Sequence, residues 1–190
     1  MIRSFIAVDL STEVLGRIDQ VCRQLRQSLP GAPIRWVPVK NIHLTLKFLG
    51  DVSEGNLAPI YDVLKGEAKK LPGFEIQVGK LGAFPSTRRP RVIWVGVKAP
   101  VELAAIQHAI DIETARLGYA SEEREFSPHL TLGRISRQAT MDQAHWIGEI
   151  LTANQVGDLG ACFISAVNLY RSDLSPQGAT YTKLYSASFS

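Results

Sequence analysis

The sequence predicts an α+β fold: one bilobed domain over residues 1–190, with two pseudo-twofold-related, largely antiparallel sheets, outer helices and a central cleft. Three observations lead there. An octapeptide recurs, HLTLKFLG from His43 and HLTLGRIS from His129, 86 positions apart. Its surroundings recur with it. The strand-like FIAVDL starts 38 positions before the first copy, at Phe5, and VIWVGV starts 37 before the second, at Val92, with an amphipathic helical stretch between strand and motif each time. The remaining strand-like segments come in pairs joined by short Pro- and Gly-bearing loops, the pattern of antiparallel hairpins. A strand–helix–strand unit repeated at a fixed interval is most simply two copies about an approximate twofold axis.

The elements follow in order. MIRSFIAVDL reads as a first strand, because Asp9 ends the apolar run before a signal-peptide core could form. Val14, Leu15, Ile18, Val21, Cys22, Leu25 and Leu29 then mark one face at helical spacing, with Ser11 placed to cap it. A helix from near Asn56 carries Ile60, Leu64, Ala68 and Leu71 inward and leaves Pro59 in its tolerated first turn. Leu103, Ile106, Ile110 and Leu117 mark another, and Trp146, Ile147, Ile150 and Leu151 a fourth. FEIQV pairs with RVIWVGV in the first half, around Phe84-Pro85. CFISAVNLY pairs with TYTKLYSASF in the second, around Leu174-Ser175-Pro176-Gln177-Gly178. With no linker or low-complexity segment between them, the halves read as one domain.

Composition excludes little. Hydrophobic residues are 45% and charged residues 21%, an ordinary globular balance, and no apolar run could span a bilayer. Cys22 and Cys162 each sit in an apolar pattern and read as reduced, buried thiols of a cytosolic protein. The net charge of +3 is mild, though Arg88, Arg89 and Arg91 cluster in one loop; a solvated basic turn is its simplest reading.

The doubled motif carries the chemistry. Side chains alternate across a strand, so His43 and Thr45 share one face while Leu44 and Leu46 bury on the other; His129, Thr131, Leu130 and Leu132 repeat this. If the twofold axis brings the polar faces together, two imidazoles and two hydroxyls point into one cleft. An imidazole titrates near pH 6.5, so one ring can take a proton while the other gives one. Opening a cyclic phosphodiester needs both acts, and threonine hydroxyls can hold the non-bridging oxygens. A single histidine is more often structural than catalytic, but a core has no reason to place the same polar pair twice. A zinc site needs three or four ligands, and no Cys, Asp or Glu accompanies either motif at ligand spacing. His108 and His145 lie opposite the apolar stripes of their helices and read as exposed.

The two H-x-T-x motifs resemble the defining feature of the 2H phosphoesterase superfamily. Arg35–Val52, Leu81–Val97, Phe126–Ile135 and Leu169–Leu184 are similar to the bacterial and archaeal RNA 2′,3′-cyclic phosphodiesterases, also called 2′-5′ RNA ligases. The resemblance implies metal-independent hydrolysis of an RNA 2′,3′-cyclic phosphate to a 2′-phosphomonoester, with no cofactor, by a cytoplasmic monomer acting on RNA ends, tRNA fragments among them. By analogy His43 protonates the leaving 3′ oxygen and His129 activates water. A 2′-5′ ligation by the same two proton transfers is also implied. Arg134 is a phosphate-binding candidate beside Thr45 and Thr131, provided Gly133 permits a bulge, since strict alternation would bury it. Phe48, its counterpart in the first motif, is a core residue or a stacking platform for a base. Lys47, Trp36 and the Arg88–Arg91 loop are further candidates for RNA contact, and Arg171, Ser172 and Tyr181 read as structural, with the cleft rim as the alternative. Two other functions stay open: a phosphodiesterase for 2′-5′ oligonucleotides or small cyclic nucleotides, and a non-catalytic module that binds RNA ends.

Overall fold

A computed structural model describes residues 1–176 and 178–190; Gln177, in the last predicted loop, lies outside the described residues. Among the described residues nine strands form two antiparallel sheets. The first has the order β3-β1-β8-β9, from Leu44–Val52, Ile2–Val8, Ala166–Ser175 and Gly178–Ser188. The second has the order β2-β6-β5-β4-β7, from Ile34–Trp36, His129–Ile135, Val92–Lys98, Phe74–Phe84 and Asp158–Ile164. The four helices are α1 (Thr12–Ser28), α2 (Leu57–Ala68), α3 (Val101–Arg116) and α4 (Met141–Ala153).

Each helix follows from its sequence. The Ser11 hydroxyl accepts from the Val14 amide at 3.3 Å and starts α1, which buries Val14, Ile18, Val21, Cys22 and Leu25 on one face. Fully burying each of the larger aliphatic chains contributes about 1.5–3 kcal/mol. Pro59 falls in the first turn of α2, and Ile60, Leu64 and Ala68 point inward as expected. Thr140 and Gln143 close a reciprocal capping box on α4. Cys22 and Cys162 are both buried free thiols.

The twofold plan holds, but the halves exchange parts. The motif strand β3 shares its sheet with the C-terminal hairpin β8–β9, whereas β4 and β5, expected beside it, lie in the sheet of the second motif strand: β5 pairs with β6, and β4 with β5 and β7. Helices cross as well: α1 packs on β7 of the second sheet, and α3 on β3 of the first. The run CFISAVNLY, expected as one strand, divides at Ser165. Before it β7 pairs with β4, and after it β8 pairs with β1 and β9. The chain switches sheets there, which an uninterrupted apolar pattern does not reveal. The buried side chains of both sheets and all four helices nevertheless form one contiguous core.

A β-bulge sits at the matching position of each motif strand, and β3 has a second one at Leu49. In β3, Thr45 faces Ala7 and Lys47 faces Ile6, leaving Leu46 without a partner. In β6, Thr131 faces Trp94 and Gly133 faces Ile93, leaving Leu132 unpartnered at the matching position. One extra residue reverses the alternation beyond it. Leu46 and Lys47 are consequently both buried, at 3% and 1% exposure, while Phe48 is 59% exposed. Lys47 does not reach solvent, which removes it from the residues able to touch RNA. Its ammonium lies 2.5 Å from the Asp111 carboxylate on α3, which also accepts from the Glu122 amide at 3.2 Å.

Burial pushes the Asp111 carboxyl up, but its bonds to Lys47 and the Glu122 amide outweigh that and hold it below the ordinary range. Its stabilising contribution is therefore complete above the usual carboxylate pKa and lost as pH falls through the depressed one. Lys47→Ala leaves Asp111 without its ion-pair partner and should cost about 3 kcal/mol. Urea denaturation checks this: the midpoint should fall with the slope unchanged, and an unaltered midpoint would contradict it.

Candidate active site

Both histidines are oriented in the same way. His43 lies just before β3, after the 3₁₀ turn Val39–Asn41, and His129 opens β6. The His43 Nδ1 is 2.7 Å from the Asn41 carbonyl, and the His129 Nδ1 is 2.8 Å from the Ser127 carbonyl. A carbonyl only accepts, so each Nδ1 carries the proton and each Nε2 is the free nitrogen of a neutral ring. Strands β3 and β6, one from each sheet, approach one another.

The two rings sit in different surroundings. His43 stacks on Phe5 at 4.6 Å and meets the edge of Tyr181 at 5.2 Å. Phe5 in turn stacks on Tyr170 at 5.3 Å, whose hydroxyl donates to Asp9 at 2.5 Å. Lys183 closes that group with a 2.6 Å bond to the same carboxylate. Burial lowers the His43 pKa to about 4, against the upward pull of its bond to Asn41 and the charge of Asp9. His129 lies nearly perpendicular to the Phe84 ring, with centroids 4.9 Å apart.

Arg134 faces the cleft. The Leu132 bulge turns it out of the leucine face, it is exposed, and its charge bears on Tyr181, the tyrosine that touches His43. Burial raises the Tyr181 pKa, and Arg134 and Arg3 oppose the rise. Thr45 and Thr131 are half-buried beside their histidines. Phe48 is exposed rather than core, 6.1 Å from Phe5, where a groove of about 490 Å³ opens toward Ala120–Arg124. Trp36 is half-buried with the Arg26 guanidinium 5.4 Å over its ring, so it belongs to the α1 side of its sheet and not to the cleft. The Arg88–Arg91 loop carries its three arginines exposed, and His108 and His145 are exposed too.

Sequence reasoning missed Asn41, Phe5, Asp9 and Tyr170. Asn41 is 9% exposed and donates its amide to the Ala179 carbonyl at 2.8 Å, so β9 holds the carbonyl that orients His43. An asparagine two residues before a motif histidine is the available signal. Among the described residues no three of His, Cys, Asp or Glu gather as a metal site, and no helix is long and apolar enough to cross a membrane.

A family model described as LigT like Phosphoesterase matches residues 8–94. A curated relative from Methanothermobacter thermautotrophicus, named RNA 2′,3′-cyclic phosphodiesterase, is 35% identical over 184 residues, 96% of each chain. The chain belongs to the LigT-like phosphoesterase family. A second relative of the same name, from Thermotoga maritima, is 30% identical and covers 98% of this chain and 95% of its own. The solved structure of E. coli LigT complexed with 3′-AMP superposes with a TM-score of 0.79 at 25% identity, covering 100% of this chain and 98% of that one. The solved structure of TT0787 from Thermus thermophilus gives 0.81 at 25%, covering 98% and 97%.

In this LigT-like phosphoesterase, folding depresses the His43 pKa, so between pH 4 and 6.5 the folded chain binds fewer protons than the unfolded one. The stability this ring contributes at neutral pH is lost as pH falls through that window. Ring-proton NMR should show His43 titrating near pH 4 in the free protein, and lower still in Asp9→Asn. A midpoint at or above 6.5 would contradict the burial.

Proposed function

We propose that this protein opens the 2′,3′-cyclic phosphate at an RNA end and leaves a 2′-phosphomonoester, by two-histidine acid–base catalysis with no metal. The observation that carries this reading is the matched pair of rings, each with Nδ1 tied to the carbonyl two residues earlier and Nε2 left for a substrate. The RNA substrate follows the names of the curated relatives, and the 3′-AMP complex of E. coli LigT fits a nucleotide site on this fold.

In this mechanism water attacks phosphorus and loses its proton to the His129 Nε2. The P–O3′ bond breaks, and O3′ takes a proton from the His43 Nε2. Exchange with solvent then restores both rings. Thr45 and Thr131 donate to the non-bridging oxygens, and Arg134 supplies positive charge where negative charge develops. In the empty cleft His43 is neutral at neutral pH; the anionic phosphodiester favours the imidazolium, so the acid gains its proton as substrate binds. Phe48 offers a face on which a base can stack. A ribose hydroxyl replacing water gives a 2′-5′ linkage by the same two transfers. Residues 1–190 act as one bilobed unit, cytoplasmic and monomeric, with tRNA fragments among the substrates.

Cyclic-phosphate opening measured in EDTA tests this. His43→Ala and His129→Ala should each lose about 10²-fold or more, the usual contribution of a general acid or base. Full activity in either variant sinks the assignment, and loss of parent activity in EDTA brings back a metal. A substrate with sulfur in place of the bridging O3′ needs no acid, so it should restore turnover to His43→Ala and not to His129→Ala. The reverse pattern exchanges the two roles.

A further inference from the structure

Beside Arg134 the fold places a second arginine that the proposed mechanism does not use. Strand β2 pairs with β6 so that Ile34 faces Ile135, Arg35 faces Arg134, and Trp36 faces Gly133. Residues directly opposite in an antiparallel pair point to the same side, with Cβ atoms about 5 Å apart. The core side is settled by Ile135 and Gly133. A side chain at Gly133 would meet the Ile34 Cγ2 at 2.9 Å and the Trp36 Cε3 at 3.2 Å, so the missing side chain lets β2 seat against β6. Backbone bonds from Val37 to Leu132 and from Ser136 to Pro33, both 2.8 Å, flank this ladder and fix its register. Arg35 therefore stands on the cleft side with Arg134, and both are exposed.

Two like charges held opposite each other on adjacent strands destabilise a sheet. The usual relief is a carboxylate, as at Arg17–Glu13 or Arg171–Asp173 elsewhere in this chain. Neither β2 (IRW) nor β6 (HLTLGRI) carries an acidic residue. Among the described residues neither Arg35 nor Arg134 takes part in a salt bridge. The pair is thus two unneutralised guanidiniums, pinned side by side by the core packing beneath them, and suited to an anion between or beside them.

We propose that Arg35 holds the internucleotide phosphate next to the cyclic one, with Arg134 between the two phosphates, so that the site takes an oligonucleotide end in preference to a lone nucleotide. The position favours the neighbouring phosphate over the reacting one. Arg134 lies five residues along β6 from His129 and reaches Tyr181 beside His43, whereas Arg35 stands one strand further out. A chain leaving the histidines past Arg134 meets Arg35 next. The proposal rests on the cyclic-phosphodiesterase reading and adds to it the number of phosphates the site binds.

The test compares three substrates: adenosine 2′,3′-cyclic phosphate with a free 5′ hydroxyl, the dinucleotide ApA ending in a 2′,3′-cyclic phosphate, and the same dinucleotide with an uncharged methylphosphonate linkage. In the parent protein the charged dinucleotide should exceed the methylphosphonate about tenfold in kcat/KM, as for loss of one charge-assisted contact. Arg35→Gln should remove that difference and change kcat/KM for the mononucleotide by less than about twofold, while Arg35→Lys should keep part of the difference through its charge. For the charged dinucleotide, the slope of log kcat/KM against log salt should become shallower by about 0.7, the value for one phosphate contact on a single strand. Equal use of the charged and uncharged dinucleotides by the parent overturns the proposal. So does a fall in Arg35→Gln of the same size on mononucleotide and dinucleotide, which would place Arg35 on the cyclic phosphate. Failure of the parent to open the mononucleotide and both dinucleotides would instead overturn the cyclic-phosphodiesterase reading.

Discussion

An extra residue at the matching position of each motif strand sets which side chains share a face with the motif threonines. Leu46 in β3 and Leu132 in β6 have no partner in their ladders, and the alternation of side chains reverses after each. Without the bulges, Lys47 would stand beside His43 and Thr45, and Phe48 and Arg134 would be driven into the leucine layers. With them, Thr45 and Phe48 share the face opposite the buried leucines of the first strand, and His129, Thr131 and Arg134 share that face of the second. The bulge also determines the fate of Lys47, whose buried ammonium ties β3 to α3 through Asp111. An aromatic ring and a guanidinium at equivalent positions give a pseudo-symmetric site two unlike ends.

The exchange of elements between the halves explains why the first motif is supported by distant parts of the chain as well as by its own neighbours in sequence. His43 takes its orientation from the Asn41 carbonyl, and Asn41 is held by Ala179 of the C-terminal hairpin. The aromatic stack under His43 joins Phe5 of β1 to Tyr170 of β8, and Asp9 and Lys183 tie the tyrosine end in place. Asp111 links the first motif strand to the Glu122 amide, in the segment that leads to His129. Geometry at one histidine thus depends on packing in several distant parts of the chain. Burial in that packing lowers the basicity of His43.

The repeat of HLTL and its surroundings at His43 and His129 predicts two related sheets, and the apolar stripes predict four helices, because the periods of strand and helix are local properties of the chain. Ser11, Pro59 and the stripes of α1 and α2 are legible for the same reason. A bulge near Gly133 is expected from the glycine alone, although its unpartnered residue is Leu132 and the glycine itself makes room for Ile34 and Trp36. Long-range pairing decided the rest. Only tertiary structure could assign β4 and β5 to the second motif, split CFISAVNLY between two sheets, bury Lys47, expose Phe48, move Trp36 to the α1 side and set Arg35 against Arg134. Each of these depends on which strand lies alongside which and in what register, and a one-residue shift there changes the face of every side chain beyond it.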